Sequence, residues 1–213
     1  SEILPHNSLG TIPKELWGKI SELGFGGIYV SEEYGGSGLS RLDATLIFEA
    51  LAMACPSVGS FLSIHNMVGG MIDKFGSDQN KESFLPDLCS MKKIFSYCLT
   101  EPGSGSDASA LKTKAARTNE GFILNGTKSF ISGGAYSNAY LTMTRTGEDG
   151  PKGISAIIVE DPSDGLSFGA FEDKMGWRAQ PTAQVQFDDC RVPSSNLIGD
   201  EGYGFTYAMA GLD

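Results

Sequence analysis

A chain of 213 residues with 40% apolar and 20% charged side chains is long enough for one large domain or two small ones around an ordinary core. Its net charge of −10 offers no basic stripe for a phosphate backbone, which excludes nucleic acid as a partner held that way. No run approaches the roughly 18 apolar residues of a membrane span, and no basic patch with an apolar stretch behind it opens the chain, so a soluble protein with no membrane partner and no secretory signal is expected.

The 28 glycines point to many turns and to a mixed α and β protein. After a polar lead, Pro13 suits a first helical position, and Leu16, Ile20 and Leu23 recur at helical spacing. A helix is predicted over 12–23. Six glycines between positions 24 and 40 mark a connecting loop. From Arg41 to Ala54 the apolar residues Leu42, Leu46, Phe48, Leu51 and Met53 predict a buried helix that ends near Pro56.

A third helix follows over 58–75, with Phe61, Ile64, Val68 and Ile72 on one stripe and Gly69-Gly70 allowing close approach of another segment. His65 and Asn66 on this helix read as a satisfied core pair, with a pocket role as the alternative. A fourth helix over 78–89 takes Asp78 as its cap and is interrupted near Pro86. Residues 1–91 thus form an α-helical domain.

Beyond Lys93 the apolar period becomes alternating. Strands are expected at 94–99, 122–124, 128–131, 140–145, 154–160, 166–168 and 184–187, with Asn125-Gly126 as a hairpin turn. The fold class is therefore α+β: the helical domain is followed over 92–202 by an antiparallel β-barrel or sandwich. Residues 203–213 open a further helix.

Cys55, Cys89, Cys98 and Cys190 are scattered without Cys-x-x-Cys pairing, which reads as reduced thiols in an intracellular compartment. With only His6 and His65, and no His-Glu-x-x-His, no metal centre is expected. No Gly-x-Ser-x-Gly elbow supports serine hydrolase chemistry.

The stretch with the most chemical content runs from Tyr97 through Thr100-Glu101-Pro102-Gly103-Ser104-Gly105-Ser106-Asp107. A strand entering a Pro and two glycines must bend, exposing backbone N–H groups that suit a phosphate or a ring carbonyl. The run fits a relaxed dinucleotide fingerprint but lacks the helix that fingerprint needs, and no Gly-Lys-Ser/Thr closes it as a phosphate loop. Taken alone it is an ordinary turn, with Tyr97 and Phe130 as core aromatics and Ser132 as a turn hydroxyl.

Tyr-x-x-Thr-Glu-Pro-x-x-Gly-Ser-Asp followed by Asn-Gly-x-Lys-x-Phe-Ile-Ser over 125–132 resembles the flavin signature of the acyl-CoA dehydrogenase family. The likeness continues through Gly176-Trp177-Arg178-Ala179-Gln180-Pro181-Thr182 and Val192-Pro193. Upstream it includes Leu23-Gly24-Phe25-Gly26-Gly27, Gly38-Leu39-Ser40-Arg41-Leu42-Asp43 and Ser63-Ile64-His65-Asn66-Met67, leaving only the first ten or so residues unmatched. The upstream runs are most similar to the branch acting on short branched-chain substrates.

The resemblance implies an FAD enzyme that takes a proton from the α carbon and a hydride from the β carbon of a short branched-chain acyl-CoA. It implies that Tyr97, Leu99 and Thr100 border the isoalloxazine ring, that Phe130 and Ile131 lie against it, and that the Ser132 hydroxyl faces N5. Gly105 and Ser106 fall where cofactor meets the CoA thioester, with Ser106 also contacting substrate. Electron-transferring flavoprotein as acceptor, a homo-oligomer at full length and the mitochondrial matrix are implied in the same way, although no transit peptide is present. The family's catalytic glutamate lies in a C-terminal helical domain that this sequence does not reach, so no catalytic residue is assigned, turnover by the chain alone is not expected, and Glu101 is read as fixing its turn. A non-catalytic acyl-CoA or protein-binding module and a related flavin oxidase are the alternatives.

Overall fold

A computed structural model describes residues 11–212, so the polar lead before Thr11 lies outside the described residues. Four helices come first: α1 (Lys14–Glu22), α2 (Arg41–Ala54), α3 (Pro56–Phe75) and α4 (Asp78–Cys89). Trp17 and Ile20 form the buried stripe of α1, while Leu23, expected to join it, caps the helix and is exposed. Pro13 stands one position earlier than expected, as the N-cap.

The sequence leads one to expect a buried α2, but Leu42, Leu46 and Met53 all face outward and Ala44 is its buried residue. Ser40 and Asp43 start this helix with a reciprocal capping box. Its end and the start of α3 share Cys55, with Pro56 at the first position of α3, where a missing N–H costs nothing. Ser77, rather than Asp78, caps α4, again through a box with Asn80, and the helix continues through Pro86 instead of breaking there.

Helix α3 is the centre of the helical region. Val68 and Ile72 pack with Leu85 and Leu88 of α4, and a Cβ on Gly69 or Gly70 would lie within 2.9 Å of Leu88 or 2.6 Å of the Tyr29 ring. His65 takes the interior place expected for Ile64. Its Nε2 lies 3.0 Å from the Leu88 carbonyl and its Nδ1 accepts the Phe95 N–H at 3.0 Å, which fixes a neutral ring with the proton on Nε2. Burial holds its pKa down at about 4, against the upward pull of the backbone hydrogen bonds. Asn66 accepts from the Ile28 N–H and donates to the Phe25 and Leu62 carbonyls. Both side chains are satisfied core groups, and the pocket role is set aside.

Eight strands follow: β1 (Phe95–Cys98), β2 (Lys114–Arg117), β3 (Gly121–Ser132), β4 (Ala139–Arg145), β5 (Ile154–Glu160), β6 (Leu166–Phe168), β7 (Thr182–Pro193) and β8 (Leu197–Ile198), before helix α5 (Gly204–Leu212). They form one mostly antiparallel sheet in the order β6-β7-β3-β2-β4-β5-β8, with β1 pairing β4. The β1/β4 and β2/β4 pairings are parallel.

Asn125-Gly126 is not a hairpin turn. The hairpin closes earlier, with the Thr118 N–H donating to the Gly121 carbonyl, and β3 runs on through Gly126 as a bulge against β7. Gly126 uses its φ of +150° for that bulge, and Asn125 clamps the facing Asp189 through two hydrogen bonds.

Alternation along β4 and β5 sends side chains to two buried faces. Leu141, Met143, Ala156 and Ile158 join the helices in one core, while Tyr140, Ile157 and Val159 join Phe122, Leu124, Val185 and Phe187 in the other.

Candidate cofactor site

The two signature runs lie side by side. The Ser129 N–H donates to the Thr100 carbonyl at 2.8 Å, and the Ser96 hydroxyl donates to the Ser132 carbonyl at 2.5 Å, so the end of β1 and the end of β3 pass each other in opposite directions. Ser96 Oγ also lies 2.7 Å from Ser137 Oγ. The two runs are thus joined side by side, but Ser132 lines a cleft together with Phe130, whereas Tyr97, Leu99 and Thr100 do not.

Between Lys128 and Ile131 the β3/β7 register slips. The residue at the slip is Phe130, whose φ of +58° is rare for a bulky side chain, and whose ring is 67% exposed. The bulge turns the ring out of the strand's alternation and into a cleft of about 410 Å³ lined by Phe130, Ser132, Glu172, Lys174, Trp177, Gln180 and their neighbours. Trp177, which lines the same cleft, also stands in the left-handed region, φ +54°, and is largely exposed. Two strained aromatic residues facing one hollow are the kind of backbone cost that persists where a surrounding structure enforces it.

Other sequence-predicted residues are placed differently. Tyr97 and Leu99 are partly buried against the helix-side core, and burial pushes the Tyr97 phenol far above its ordinary range. The Ile131 side chain points into the sheet core, leaving its backbone as the part able to meet a ligand. Gly105 and Ser106 stand on the exposed turn, and neither lines the cleft. That turn is more closed than expected: the Glu101 and Ser104 N–H groups are spent on each other's carbonyls.

Glu101 does anchor backbone, but that of a segment eleven residues on. Its Oε2 accepts the Lys112 N–H at 2.6 Å, and its Oε1 accepts the Thr113 N–H at 2.8 Å. Oε1 also meets Lys128 Nζ at 2.8 Å, and the same ammonium donates to the Leu99 carbonyl at 3.0 Å. Burial works against both charges. The Lys128 charge and the amide donors nevertheless hold the Glu101 carboxyl below the usual range, while burial draws Lys128 down despite the pull of Glu101. Lys128 belongs to the Asn-Gly-x-Lys run and carried the signal for this role. Likewise, the Gly176–Thr182 run is quoted in the resemblance without a role, and it forms the second wall of the cleft.

The lining suits a flavin ring. Two exposed aromatic faces supply flat apolar cover, Ser132 and Thr182 supply hydroxyls, and the buried Gln180 Oε1 has no partner among the described residues. Also among the described residues, no group of His, Cys, Asp and Glu could hold a metal ion, and no helix is long and apolar enough to cross a membrane.

Residues 3–92 match the family model for the acyl-CoA dehydrogenase N-terminal domain, and residues 96–190 that for the middle domain. The chain belongs to the acyl-CoA dehydrogenase family, a family of FAD oxidoreductases. Among its relatives are two mitochondrial isobutyryl-CoA dehydrogenases. That of Dictyostelium discoideum is 58% identical over 94% of this chain and 49% of its own length, and that of Bos taurus is 52% identical over 100% and 52%. The butyryl-CoA dehydrogenase of Megasphaera elsdenii superimposes with a TM-score of 0.89 at 37% identity, covering 96% of this chain and 55% of that one. The family match thus begins earlier than the signature runs suggested, and the chain spans about half the length of the curated relatives it matches.

Proposed function

We propose that the protein carrying this sequence is an FAD-dependent dehydrogenase of short branched-chain acyl-CoA thioesters, isobutyryl-CoA foremost, and that these residues supply the flavin-holding part of its site. The observation that carries this reading is the Ser129 to Thr100 hydrogen bond, which makes one edge out of two runs 29 residues apart. Similarity to the isobutyryl-CoA dehydrogenases supports the choice of acyl group. Electron-transferring flavoprotein as acceptor, a homo-oligomer and the mitochondrial matrix complete the proposal.

When bound, FAD supplies a hydride acceptor at N5. The chain's own residues bind and orient. Tyr97 on β1, and Leu99 and Thr100 just beyond it, border the ring, the Thr100 hydroxyl being free to bond its polar edge. Phe130 covers the ring with an apolar face that excludes water, Ile131 contributes backbone, and Ser132 presents a hydroxyl whose backbone is held by Ser96. Gly105 and Ser106 meet the thioester end from the exposed turn. Glu101 is not a base for the α proton, since both of its oxygens are committed to Lys112, Thr113 and Lys128.

The test is the absorption spectrum of the purified full-length protein. A flavin band that bleaches anaerobically with isobutyryl-CoA, and faster than with straight-chain butyryl-CoA, is expected. Failure to take up FAD, or a flavin that no short acyl-CoA reduces, overturns the reading.

A further inference from the structure

Among the described residues, three buried side-chain polar atoms lack a hydrogen-bond partner: Tyr97 Oη, Thr113 Oγ1 and Gln180 Oε1. Only Gln180 lines the cleft that holds Phe130 and Ser132. It is 2% exposed, so water reaches the residue poorly. Its backbone is firmly fixed: the N–H donates to the Trp177 carbonyl at 3.0 Å, and the carbonyl accepts from the Lys174 ammonium, which also donates to Thr182 Oγ1 at 2.7 Å. A side chain of a cleft-lining residue, whose backbone is pinned on both sides and whose buried acceptor is left unmet, is a preorganised half of a hydrogen bond.

We propose that Gln180 is a ligand-binding residue of the cleft, its carboxamide oxygen accepting a hydrogen bond from an N–H or O–H of the flavin. Oxidised FAD offers such donors at the ring N3–H and along the ribityl chain. The assignment rests on the flavin reading above and deepens it, giving the Gly176–Thr182 run a direct role. Lys174 acts through Gln180 as a positioning residue.

The alternative is that Gln180 is only an imperfectly satisfied interior side chain. The two differ in what happens when the polar head is removed. Replacing an unsatisfied buried amide by an isosteric apolar group relieves its desolvation cost, whereas removing a ligand's acceptor weakens binding. Gln180→Leu in the full-length protein therefore separates them through two readouts, apoprotein melting temperature and FAD affinity measured by flavin fluorescence on reconstitution.

We expect the Gln180→Leu apoprotein to melt at or above the wild-type temperature while FAD binds about tenfold more weakly. Unchanged FAD affinity in a folded Gln180→Leu protein overturns the proposal. If that variant does not fold, Gln180→Asn, which keeps the amide but withdraws it by one methylene, is read by FAD affinity alone: weaker binding is expected, and unchanged affinity in the folded protein overturns the proposal. Wild-type protein that binds no FAD would instead sink the flavin reading itself, so the two failures are distinguishable.

Discussion

The Lys128 ammonium and the Glu101 carboxylate, 27 positions apart, meet at 2.8 Å with both side chains almost wholly removed from solvent. The pair ties the end of β1 to the middle of β3, and Lys128 also holds the Leu99 carbonyl. Both contacts lie beside the Ser129 to Thr100 hydrogen bond that joins the two runs.

Lys128→Met leaves the Glu101 charge buried without its partner and is expected to cost about 3–5 kcal/mol. Adding Glu101→Gln should recover part of the loss, because the amide still offers an oxygen to an N–H of residues 112 and 113. Urea unfolding of the two single variants and the double variant measures the coupling, and simple additivity would show that the pair contributes nothing jointly.

His65 sets an acid limit. The unfolded chain protonates histidine near pH 6.5, while the folded ring does so at about 4 because burial disfavours the cation. Between these values the unfolded state binds more protons, so stability rises with pH across that window and falls as pH drops through it. The folded protein is expected to lose about 2–3 kcal/mol from this group between pH 7.5 and 4.5. His65→Gln should remove that part of the acid dependence and leave the part due to Glu101, whose lowered pKa withdraws stability at still lower pH. Guanidinium titrations of both proteins at the two pH values test this.

Gly133 follows Ser132 directly, with φ at +84°. A Cβ there would collide with the Ser96 and Ser137 hydroxyls and come within 2.8 Å of the Phe61 ring. Gly133→Ala is expected to destabilise by about 2–4 kcal/mol and to displace the Ser132 carbonyl from its Ser96 donor. The flavin absorption band of the variant should lose its fine structure, whereas Gly103→Ala, on the exposed turn where a Cβ meets nothing within 4 Å, should change neither stability nor spectrum.

Much of this architecture was legible in the residues. Helical spacing located α3, and alternation located β4 and β5, because both periods follow from how an element buries one or two faces. The outward-facing Leu42, Leu46 and Met53 of α2 were not legible, since composition counts apolar residues without saying which side they take. Asn125-Gly126 misled for a specific reason: glycine at positive φ serves a bulge as readily as a hairpin turn, and only the partner strand decides between them. The site divided along similar lines. The motifs named Phe130 and Ser132, which line the cleft, and also Thr100, which does not, while the Lys128–Glu101 contact and the unmet Gln180 oxygen depend on long-range packing that local spacing does not encode.

The parallel entry of β1 beside β4 also has a bearing on how the polypeptide can be divided. Val68, Leu88, Leu141, Ile158 and Ala208 belong to one apolar interior, although the two family matches part company between positions 92 and 96. Severed at that seam, each fragment would present its share of the common interior to water. Recognition by sequence counts two modules here, while cooperative unfolding should count a single one.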